Sequence, residues 1–115
     1  MLKNFALHDG NLDNKKVGTL TYDAESREFQ MFLDKTVPLD MLPLSLRIFA
    51  HRDIYSLNNE HVLKWIKGRI APPSRHNIKA IMKELEIKEY DEFVLLSETM
   101  GRCGKDELYL VEVRN

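Results

Sequence analysis

The residues best equipped to do chemistry lie in and beside the stretch WIKGRIAPPSRHNI, Trp65 to Ile78. It holds the chain's only tryptophan, a Pro72–Pro73 break and His76, with the cations Lys64, Lys67, Arg69 and Arg75 in or next to it. No acidic residue falls between Glu60 and Glu84, whereas Lys79 and Lys83 add further positive charge. From Glu84 onward nine acids face four Lys/Arg, so the chain is basic in its middle and acidic afterwards. Ammonium and guanidinium groups around an aromatic ring suit two tasks. They can anchor a protein partner, since Trp and Arg dominate interface energetics, or they can neutralise phosphates.

Other chemistries lack their residues. The five glycines form neither GxGxxG nor GxxxxGK[ST], so no phosphate-cradling loop is written in the sequence. Ser45, Ser56, Ser74 and Ser97 have no GxSxG setting. His51, His61 and His76 share no ligand spacing with one another or with a cysteine, which argues against zinc. Cys103 sits in GRCGK between Arg102 and Lys105, but no histidine base accompanies it. It reads as a small apolar residue in a turn. The chain is therefore expected to be neither an enzyme nor a cofactor protein.

The elements that must position the basic stretch follow from pattern. The 115 residues, with a net charge of −1, suit one domain spanning residues 1–115. No apolar run nears the roughly 20 residues of a membrane span, and MLKNFALHDG is unlike a signal peptide. The letters KDEL at 105–108 are internal and carry no retention meaning. One cysteine excludes an internal disulfide, and a bacterial-style cytoplasmic setting is expected.

KNFALHD, KVGTLTYD and REFQMFLD alternate with period two and read as a three-stranded meander. Prolines at 38 and 43 keep TVPLDMLPLSL extended, and LSLRIFAHR reads as a short helix. Asn58 or Asn59 caps a helix from about Glu60 to Arg69. Ser74 caps another through Leu85, and Asp91 caps a third that stops at Gly101. DELYLVEV reads as a last strand returning to the sheet. The expected fold is α+β, a small antiparallel sheet of the N-terminal meander plus the C-terminal strand, packed with three to four helices.

At about 100° per residue, Val62, Leu63, Ile66 and Ile70 form a stripe that leaves Trp65 roughly 110° from its centre. Two placements fit: a ring folded over the edge of the core, or an outward anchor. Arg69 and Arg75 can be solvated, paired with the acidic helix, or presented to a partner. The expectation carried forward is a partner-binding group of Lys64, Trp65, Lys67, Arg69 and Arg75. The alternative is a nucleic-acid-binding regulator using the basic helices at 61–83, although GRIAPPS is unlike a helix-turn-helix turn.

The order of these segments resembles the N-terminal subdomain of HipA-like serine/threonine kinases. The resemblance is carried by Val17, Gly18 and Leu20, by LPLSL at 42–46, by RIAPPSR as a departed counterpart of a proline-marked region, and by DEFVLLSETMGRCGKDELYL. It covers roughly residues 16–112. Two positions depart from the family pattern: Pro73 and Ser74 replace its Glu-Gly, and Arg102 precedes Cys103 where the family has Asp. The chain ends where the family's kinase core would begin, so no ATP-binding or catalytic residue carries over. The resemblance implies a free-standing subdomain of a split toxin–antitoxin system. Such a piece would bind and inhibit a HipA-like kinase, alongside a DNA-binding third component, without itself contacting membrane or nucleic acid.

Overall fold

The computed structural model describes residues 2–114. Strand β1 (Leu2–Asp9) runs antiparallel to β2 (Lys15–Asp23), which pairs with β3 (Glu28–Leu33). This is the meander read from period-two alternation. The turn between β1 and β2 is built by Asp9, whose carboxylate accepts from the Asn11 N–H at 2.9 Å. Asp13 and Asn14 then take the left-handed conformation that short polar side chains tolerate. Gly18 is required where β2 meets β3, because a Cβ there would lie 2.5 Å from the Phe32 carbonyl oxygen.

The connection after β3 makes a 3-10 turn at Leu39–Met41 and then helix α1 (Leu44–Ala50), which starts at Pro43. A two-residue strand, β4 (Ser56–Leu57), pairs with β3 and was not foreseen from sequence. Helix α2 (Asn59–Lys67) is capped by Asn58, whose side chain accepts from the His61 N–H. Asn59 meanwhile accepts from the Phe29 N–H at 2.8 Å, beyond the reach of β4, and closes that edge of the sheet. Helix α3 (Ile78–Glu84) starts three residues later than a Ser74 cap implies. Residues 72–77 are turns instead, tied by Arg75 N–H to Pro72 O and Ile78 N–H to Arg75 O. No residue of α3 is fully buried.

Asp91 caps helix α4 (Glu92–Thr99) by accepting from the N–H groups of Phe93 and Val94. Met100 and Gly101, both at positive φ, end it. Strand β5 (Leu108–Val113) then returns to pair antiparallel with β1. The result is the expected α+β domain, a five-stranded antiparallel sheet in the order β4-β3-β2-β1-β5 with four helices.

Phe5, Leu7, Leu20, Tyr22, Phe29 and Met31 point from the sheet into one buried cluster shared with Leu46, Val62, Ile66 and Leu96. Phe93 of α4 stacks on Tyr22 with ring centroids 4.1 Å apart. The opposite sheet face carries Thr19, Thr21, Gln30, Phe32 and Val111 and stays open. Among the described residues, no helix is long and apolar enough to cross a membrane.

Candidate protein-binding site

Helix α1 is apolar nearly all round: Leu44, Leu46, Ile48, Phe49 and Ala50 fill five of its seven positions. Only one side can face the core. Leu46, Phe49 and Ala50 take it, which leaves Leu44 and Ile48, one turn apart, 70% and 54% exposed. Leu39 and Met41 in the preceding turn are exposed as well. Arg47 braces the segment, donating from Nε and Nη2 to the Leu42 carbonyl and from Nη2 to that of Asp40. The outcome is a strip of four large apolar side chains, close in sequence, facing solvent. Monomer surfaces scatter such residues singly; clustered ones mark contact sites.

The strip runs into a pocket of about 340 Å³. Its apolar wall is Ile48, Phe49, Ile54 and Trp65, and Arg52, Lys64 and Lys105 are exposed cations on its lining. His61 and Trp65 also line it, one helical turn apart on α2. His61 Nδ1 and Trp65 Nε1 are buried without a hydrogen-bond partner.

Trp65 is thus corrected from an outward anchor to a core residue, 4% exposed. The physical reason lies in which residues α2 actually buries. Leu63 is only half-buried and Ile70 lies beyond the helix end, so neither defines its inner face. The buried set is Val62, Trp65 and Ile66, whose centre falls near Val62 itself.

Arg69 is corrected with it. It is 8% exposed and its guanidinium lies 4.6 Å from the Trp65 ring centre. Nε donates to the Gly101 carbonyl at 2.7 Å, while Nη1 and Nη2 donate to the two Asp106 carboxylate oxygens at 2.8 and 2.6 Å. Such a fork is among the stronger polar contacts available to a protein. Burial alone would raise the Asp106 pKa. The hydrogen bonds from Arg69, the Leu108 N–H and Ser45, with the Arg69 charge, outweigh it and hold the carboxyl below its usual range. Arg69 is therefore a tie between α2, the end of α4 and the start of β5, with its side chain only 2% exposed.

The remaining expected residues separate. Lys64 is exposed at the pocket, and Lys67 is exposed outside it. Arg75 is exposed at a second cavity of about 500 Å³, between the Arg69–Ala71 segment, α3 and α4. The five residues do not converge into one group. Cys103 is a half-buried free thiol.

Sequence reasoning missed the strip Leu39, Met41, Leu44 and Ile48. The signal was present as an apolar excess in LPLSLRIFA, more than one helix face can bury. Asp106 was also missed, because a carboxylate preceding a strand looks solvated until its partner, 37 residues earlier, is known. The chain matches no protein-family model, no curated protein and no solved structure.

Proposed function

We propose that this protein is a non-catalytic protein-binding module whose contact face is the strip of Leu39, Met41, Leu44 and Ile48. The observation that carries this reading is the exposure of four large apolar side chains within ten residues, on a segment whose backbone Arg47 braces. The resemblance to the HipA-like N-terminal subdomain names the partner: a HipA-like serine/threonine kinase, which the module binds and inhibits as an antitoxin-type component in a bacterial cytoplasm. LPLSL, one of the segments that carries the resemblance, contributes Leu44 to the strip, while its Leu42 and Leu46 are buried in the core.

The test is co-purification of the protein with the kinase encoded beside it, and titration of kinase activity. Burying a Leu or Ile side chain contributes about 1.5–3 kcal/mol. Replacing Leu44 and Ile48 together by aspartate therefore weakens binding by roughly a hundredfold or more. Thermal stability stays unchanged, because neither residue is in the core. Undiminished binding by the folded double variant rules the strip out.

A second reading has its own support. Lys64, Lys67, Arg75, Lys79 and Lys83 are all exposed and form no ion pair among the described residues. Duplex DNA binding through them would show a logarithmic salt slope near one per contact. Submicromolar duplex affinity with such a slope would replace the protein-binding reading.

A further inference from the structure

We infer that the pocket at the end of the strip is a socket for an aromatic side chain flanked by acidic residues, presented by an extended segment of the protein partner. The inference rests on the protein-binding reading of the strip and adds the chemistry that the partner must carry there.

Size, apolar lining and charge point to this occupant. At about 340 Å³ the pocket lies within the range of roughly 300–1,000 Å³ that encloses small ligands or single large side chains. Its wall offers the rings of Phe49 and Trp65 with Ile48 and Ile54. Aromatic anchors fill such preformed sites at low entropic cost, having only two side-chain torsions to fix.

The charge is one-sided. Among the lining residues Asp106 is the only acid, and both its oxygens are engaged by Arg69. Arg52, Lys64 and Lys105 form no ion pair among the described residues. Complementary charge on a guest speeds encounter and selects the partner. Trp65 Nε1 is a buried donor with no acceptor. Leaving a buried polar group unpaired costs about 1–3 kcal/mol, a cost set by the core packing around the ring.

The occupant is a chain segment, not a free small acid, because Ile48 belongs to both pocket and strip. Exposed apolar side chains continue along the chain from Ile48 to Leu44, one turn before it on α1, and to Met41 and Leu39 in the preceding turn, a longer stretch than a small molecule covers.

Trp65 is the chain's only tryptophan, so its emission reports the pocket directly. The probe is a terminally blocked, tryptophan-free peptide with one phenylalanine between paired glutamates. Its counterparts carry lysines for the glutamates or alanine for the phenylalanine. The acidic aromatic peptide should produce a saturable emission change and bind at least about tenfold more tightly than either counterpart. The double variant Lys64→Glu/Lys105→Glu should lose about tenfold in affinity while its ligand-free emission stays unchanged.

Absence of a saturable change at millimolar peptide overturns the proposal. So does equal binding of the lysine-flanked peptide, or indifference to the double charge reversal. Phenylacetate binding as tightly as the peptide also overturns it and makes the pocket a small-acid site. If the kinase depends on Leu44 and Ile48 while the peptides fail, the socket alone is wrong. If the peptide binds as described and the kinase does not, the socket stands and the kinase assignment falls.

Discussion

Replacing Asp106 by asparagine keeps the size of the side chain and removes its charge. Arg69 then retains its bond to the Gly101 carbonyl and its stack on Trp65, but its guanidinium is left inside the protein without a counter-charge. The Arg69 side chain is only 2% exposed, so water cannot take over. Removing one partner of a buried pair costs about 3–5 kcal/mol, against about 5–15 kcal/mol for the whole stability of a typical domain. For a chain of this size that corresponds to a fall in Tm of roughly 10–20 °C.

Urea unfolding at pH 7, followed by circular dichroism and by Trp65 emission, measures it. The double variant Arg69→Met/Asp106→Leu should lose less than Asp106→Asn, because it leaves no unpaired charge. The pH dependence gives an independent check. The folded-state pKa of Asp106 lies below the ordinary value of 3.8. Its stabilisation is therefore complete above that value and is lost as pH falls through the folded-state pKa. The gap between wild type and Asp106→Asn should narrow below about pH 4 and stay constant from there to neutrality. A cost under about 1 kcal/mol at pH 7 would refute the reasoning, since that is what a solvated surface pair contributes.

Two further substitutions test other parts of the packing. Trp65→Ala should destabilise by about 3–5 kcal/mol, the usual cost of deleting a buried large aromatic; a thermal midpoint within a few degrees of wild type would place the ring outside the core. Gly18→Ala should cost about 1–3 kcal/mol or more, because β2 and β3 must part to admit the methyl group; an unchanged urea midpoint would show that the strands meet less closely there.

The sheet was legible because its strands alternate cleanly. Phe29, Met31 and Leu33 go inward while Gln30 and Phe32 go outward, and period two leaves no second solution. The caps of α2 and α4 were legible for a similar reason, since Asn58 and Asp91 have local chemistry that acts within three residues. The site was not legible from the same kind of signal. Trp65 was misplaced because Leu63 and Ile70 looked like core residues and pulled the calculated stripe away from it. Arg69 was misjudged because nothing local announces a carboxylate brought from the far side of α4. The Ser74 cap failed because a Pro-Pro pair can be followed by turns as readily as by a helix, and α3 buries too little apolar surface to draw its start forward.

The pairing of β5 with β1 has a consequence for how the chain folds during synthesis. Asn4 lies beside Val113 and Asp9 beside Leu108, so β1 waits for β5, about a hundred residues later. Until residues 106–113 leave the ribosome, Arg69 has no carboxylate and β1 shows an open hydrogen-bonding edge. Pairings this distant in sequence are slow to form, because the loop must close before contacts reward it. A chain lacking β5 is thus held as an incomplete sheet with an unneutralised guanidinium, and it should remain protease-sensitive until that strand emerges. Protection of ribosome-bound chains stalled before Asp106 would contradict this order. If the order holds, expression level and quality depend on residues 106–113 far more than their share of the core suggests.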